Sequence, residues 1–246
     1  MNIQRIAPFT GLALLVFAGA CGDQSRDTEV YSEPVQDEAT VSADEFRAAM
    51  NDMRTELRTT LDEFGSQISE LDQRYMSAND EIAEEWAETR EEMSAYRQTL
   101  EADLARLENA NEEEADQITE GIASDLEDLT HSVERAQLES VENPEEFVAA
   151  AQEQLSRLEQ NFLTLQQEAQ GLPMEARDEA SETLREFSER AEEIRAELQE
   201  LAQASAEEIS EEREEIAENV SSLTASVQRE LFESRQHTST TATIRN

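Results

Sequence analysis

The chain has 246 residues, and its 59 acidic groups against 19 basic ones give a formal charge of −40, which argues against a nucleic-acid partner because phosphate backbones need a basic surface. One cysteine excludes an intramolecular disulfide framework and a multi-cysteine zinc site. Every basic residue is arginine, so Schiff-base chemistry, a phosphate-loop lysine and a covalent lysine link to peptidoglycan are excluded too. A hydrophobic share of 37% at this charge is, by bulk composition, that of a disordered chain. The order of the residues argues for structure instead.

Asn2 to Arg5 form a short polar start with one positive charge, and Thr10 to Ala20 follow as the apolar run TGLALLVFAGA. That run is shorter than the roughly 20 residues a membrane-spanning helix needs and fits the apolar region of a signal peptide over residues 1–20. It ends at Phe17-Ala18-Gly19-Ala20-Cys21, with the chain's lone cysteine beside small residues. This segment resembles the lipobox of bacterial lipoproteins, with Ala18 where that family most often has leucine. The resemblance implies that Cys21 carries diacylglycerol and, after cleavage, a further acyl chain on its freed amine. In the sorting rule of that family, an aspartate directly after the cysteine retains the protein in the inner membrane. Gly22 stands there, with Asp23 behind it, which points to the periplasmic face of the outer membrane. The resemblance covers residues 1–21 only.

Residues 22–41 are polar, without period, and contain Pro34. With Cys21 they read as an acidic, disordered tether, whose end-to-end distance is roughly 25 Å as a flexible chain. At Val41 the pattern changes. Ser42 with Glu45 forms a capping box, and Val41 can pack on Phe46 as a hydrophobic staple. From Phe46 to Leu107 apolar residues recur at a mean step of about 3.6, the α-helical period. Ala78 and Thr89 fill the two gaps in that series, and Gly65 weakens it locally. Asn109-Ala110-Asn111 breaks it, and Asn111 with Glu114 caps a second stripe that starts at Ile118. Asn143 followed by Pro144 marks a restart within that stripe. Gly171 and Pro173 stop it, and a last stripe runs from Leu184 to Leu231.

The stripes predict helical spans over about 43–108, 112–171 with a joint at Pro144, and 174–235. Spans of nearly equal length joined by short turns run up, down and up, each about 90–100 Å long at 1.5 Å per residue. The expected fold is therefore all-α: an elongated antiparallel three-helix bundle, spectrin-like in shape, over 42–235. A long coiled coil with other copies is the alternative. The polar stretch 236–246 reads as a frayed, flexible tail.

Few constellations carry chemistry. Asp128 and His131, with Glu127 and Glu134, place carboxylates and an imidazole on neighbouring helical turns. Helical carboxylate metal sites need several such pairs on facing helices, and the other histidine, His237, lies in the tail, so a solvated polar face is expected. The acidic runs Glu112–Glu114, Glu207–Glu208 and Glu211–Glu215 lack the convergent loop calcium prefers, and Arg213 offers them helical ion-pair partners. Tyr75, Trp86 and Tyr96 fall in register with the first stripe, as core or bundle-end residues. No serine has a paired histidine at credible spacing, so neither an enzyme nor a bound cofactor or metal is expected.

The reading that results is a membrane-anchored envelope lipoprotein, held by acyl chains on Cys21. Its acidic bundle serves as a spacer, scaffold or protein-interaction module, meeting a partner or its own copies through its helices. The alternative is a protein of lipid surfaces. The chain resembles the exchangeable apolipoproteins in its long amphipathic helices and interhelical prolines. It departs in the wide spacing of Pro144 and Pro173 and in the scarcity of basic residues that interfacial helices carry beside their apolar face.

Overall fold

The computed structural model describes residues 43–76, 80–170 and 174–244. The chain divides into two units, 1–38 and 39–246, and all described residues belong to the second. The expected signal peptide, Cys21, the tether, the Val41–Ser42 cap, Gly171 and Pro173 lie outside them.

The apolar stripes do become helices, and the described residues form an all-α helical bundle. Six helices follow in order: α1 (Ala43–Tyr75), α2 (Asp80–Leu107), α3 (Glu112–Glu139), α4 (Pro144–Ala169), α5 (Met174–Leu201) and α6 (Ala206–Ile244). Two starts were legible in the sequence. Asn111 caps α3 through a reciprocal pair: its side chain accepts from the Glu114 amide, and the Glu114 carboxylate accepts from the Asn111 amide, both at 3.1 Å. Asn143 accepts from the amides of Glu145 and Glu146 and sets Pro144 at the first helical position, where the missing N–H costs nothing.

The segmentation differs from three long rods, because the first and third spans are each folded back on themselves, as α1 with α2 and α5 with α6. Arg54 in early α1 pairs with Glu108 just past α2 at 3.1 Å, while Trp86 in early α2 donates to Asp72 in late α1 at 3.0 Å. These contacts make α1 and α2 an antiparallel hairpin. Phe162 and Phe187, 5.9 Å apart, and the ion pair of Glu159 with Arg195 pair α4 with α5 across the boundary between the second and third spans. The reversals fall where a stripe skips one member: between Tyr75 and Ile82, and between Leu201 and Ile209. A step of seven or eight residues is about two helical turns. The apolar period therefore passes through a reversal unbroken, which is why the rods read as continuous. The stop before α6 has its own cap, since Ser205 Oγ accepts from the Glu208 amide at 3.3 Å and Glu208 accepts from the Ser205 amide at 2.7 Å. At the other end of α6, helix continues through residues 236–244, beyond the expected end at Arg235.

Two cores result. The first lies among α1, α2 and α3 and includes Leu71, Met93, Leu100, Ile122 and Leu129, each at most 1% exposed. The second lies among α4, α5 and α6, around Phe147, Leu158, Leu198 and Leu223. Full burial of one such side chain contributes about 1.5–3 kcal/mol, so the stripes supply the main driving force. Two residues cross over: Leu138 of α3 belongs to the second core, and Phe232 of α6 packs on the first. The helices α3 and α6 thus join the two halves.

Candidate functional site

Of the polar residues singled out in the sequence, Glu127, His131 and Glu214 lie along the antiparallel contact of α3 with α6. Arg135 is the centre of this seam. Its Nη1 donates to Glu218 Oε2 at 2.8 Å, its Nε to Glu139 Oε1 at 2.7 Å, and its Nη2 reaches Glu214 Oε1 at 3.5 Å. The bond to Glu139 is the main reason its guanidinium is held even more firmly protonated than usual. One helical turn earlier, His131 Nε2 lies 3.2 Å from the same Glu218 oxygen. A turn before that, Glu127 accepts from Arg229 Nη1 at 3.0 Å and from Ser226 Oγ at 3.1 Å.

The four clustered residues of α3 therefore separate. His131 and Glu127 face α6, Asp128 is exposed, and Glu134 turns toward α4, where Arg157 approaches to 4.0 Å. Burial pushes the Glu134 carboxyl up from its ordinary range, and Arg157 offsets this in part. Among the described residues, no group of three or more His, Cys, Asp or Glu is placed to hold a metal ion.

The acidic runs divide between roles. Glu114 and Glu208 cap helices, Glu214 pairs with Arg135, and Glu215 stands beside Glu197. The side chain of Glu112 lies outside the described set. Arg213 does not serve its own run in the way its spacing suggests. Its Nη2 instead donates to the carbonyl oxygens of Leu138 and Glu139, at the end of α3, and its guanidinium lies 5.2 Å from the centre of the Phe147 ring. Unmet carbonyls at a helix end attract a cation, and Phe147 offers an aromatic face nearby, so the residue fastens the α3–α4 corner.

At the same end of the first core, Tyr75 and Trp86 stack with ring centres 4.7 Å apart. The Tyr75 hydroxyl donates to the Ala136 carbonyl at 3.2 Å, and burial first, then Glu139, pushes its pKa up to about 12. Tyr96 is half-buried against the same core. The aromatic pair borders a cleft of about 750 Å³ shared with His131, Arg135 and Arg213. The named polar groups meet protein partners, so the arrangement binds helix to helix. Sequence reasoning missed Arg135, Arg229 and Glu218 as partners. They are separated from their contacts by 83 residues or more in the case of Arg135 with Glu218 and Arg229 with Glu127, beyond any helical spacing rule.

The chain matches no protein-family model, no curated protein and no solved structure. Among the described residues, no helix is long and apolar enough to cross a membrane.

Proposed function

We propose that this chain is an envelope lipoprotein, anchored through acyl chains on Cys21 to the periplasmic face of the outer membrane, whose helical bundle is a spacer, scaffold or protein-interaction module. The observation that carries the reading is the position of the only cysteine, directly after an apolar run that ends in small residues. The state of the apolar stripes favours a scaffold over an apolipoprotein-like lipid carrier. They are spent in the two cores, and the large hydrophobic side chains exposed among the described residues are Met76 and Leu163. A bundle that bound lipid along its helices would first have to open both cores. Its acidic outer faces would also meet repulsion at anionic lipid.

Replacing Cys21 with serine tests the anchor. The expected result is loss of the acyl mass and transfer of the chain from the membrane to the soluble fraction, or a stalled precursor. Unchanged mass and unchanged membrane partition would end the lipoprotein reading. Flotation of the same variant with lipid vesicles tests the carrier alternative, because only a lipid-surface protein floats without its acyl anchor.

A further inference from the structure

The end of the first core opposite Tyr75 and Trp86 holds a second cleft, of about 660 Å³, where early α1 meets the turn between α2 and α3. Small-ligand sites span roughly 300–1,000 Å³. Its floor is Leu107, 2% exposed, and its apolar wall is Phe46 and Met50, which pack on the core but remain half-exposed. Arg47 and Arg54, two helical turns apart on α1, bring positive charge to this wall. Asn111, the cap at the positive end of α3, lines the other side.

Arg54 is the informative residue. Its side chain is only 11% exposed; Nη1 donates to Asn51 at 3.4 Å and Nη2 to Glu108 at 3.1 Å, while the buried Nε has no hydrogen-bond partner. A buried donor left unmet is costly, and guanidinium groups favour carboxylates that engage two nitrogens at once. Glu108 is 60% exposed, and such open ion pairs hold weakly. A carboxylate entering the cleft can displace it from Nη2.

We propose that this cleft binds a monomeric fatty acid, its carboxylate on Arg54 with Arg47 beside it, and its chain against Phe46, Met50 and Leu107. An apolar wall beside a buried, incompletely paired arginine matches a molecule with one anionic end and an apolar remainder. The wider surface, at a formal charge of −40, repels anions, so a fatty acid that binds does so where the local sign is reversed. The inference stands apart from the lipoprotein reading, since it rests on α1, α2 and α3 alone.

Calorimetric titration of the full chain with dodecanoate below its micelle concentration tests it. The expected result is saturable binding at one site, weakened at least tenfold in Arg54→Gln, tightened in Glu108→Gln and unchanged in Arg185→Gln, whose arginine pairs with Glu189 on α5. Dodecanol and dodecylamine should bind at least tenfold more weakly. Circular dichroism checks that each variant keeps its helix; if Arg54→Gln does not, Arg47→Gln takes its place and should also weaken binding. Absent binding, equal binding of dodecanol, or full affinity in the arginine variants would overturn the proposal. So would adsorption to phosphatidylglycerol vesicles without saturable dodecanoate binding, which would place recognition at a lipid surface.

Discussion

Ser205→Ala separates a chain reversal before α6 from a helix running straight through, because the two arrangements predict opposite signs. In a continuous helix, residue 205 would be an interior position, and alanine there would stabilise by up to about 0.5 kcal/mol through better propensity. In the observed structure Ser205 caps α6, with the Glu208 amide donating to its hydroxyl at 3.3 Å. Removing that acceptor leaves an amide of the first turn unmet and costs about 1 kcal/mol, within a range of 0.5–2. For a domain of this size that lowers the melting temperature by about 2–4 °C. Urea titration followed by far-ultraviolet circular dichroism gives the free energy directly. The Glu208 half of the cap adds a pH signature. The Ser205 amide first, then its hydroxyl, holds that carboxyl below the ordinary glutamate range. Its contribution is present above that range and is lost as the pH falls through the lowered value. A Ser205→Ala chain that melts at or above the temperature of the parent would refute the cap and restore the long rod.

Burial pushes the carboxyls of Asp125, Glu134 and Glu197 up, and neighbouring carboxylates raise Asp125 and Glu197 further. The folded chain thus binds these protons more tightly than the unfolded one, so stability should rise as the pH falls from neutrality toward the ordinary carboxylate range. A melting temperature that drops as the pH falls would refute this. Salt should act in the same direction as acid. With 59 acidic residues and 19 arginines, repulsions outnumber the ion pairs that salt weakens. Reducing the screening length from about 8 Å to about 3 Å should raise the melting temperature in molar sodium chloride, and a flat or falling value would contradict this.

What the sequence made legible was local. Asn111 with Glu114, and Asn143 with Pro144, are signals spanning four or fewer residues, and both helix starts lie where those signals place them. The apolar period identified helix, and nearly every stripe residue is in a core. Reversals without proline were hidden, because the steps from Tyr75 to Ile82 and from Leu201 to Ile209 preserve the phase of the stripe. Ser205 and Glu208 were the available signal at the second reversal, spaced like Asn111 and Glu114. The seam lay beyond sequence reading for a different reason. Glu127, His131 and Arg135 share a face of α3 at helical spacing, but their partners Arg229 and Glu218 are fixed only by how α6 docks. The reading of Cys21 rests on its sequence context alone.

The position of α6 bears on when the chain can finish folding. It touches α1, α3, α4 and α5, and its Arg235 reaches Glu56 across 179 residues. The first core draws its buried residues from α1, α2 and α3, with Phe232 of α6 packed on it, whereas the second cannot close before α6 supplies Ile216, Val220 and Leu223. Made from its N-terminus, the chain has its second core open, and its first without Phe232, until its last helix has been synthesised. A chain cut short before residue 206 therefore leaves the apolar surface of the second core open, a ready target for proteases that remove incomplete products.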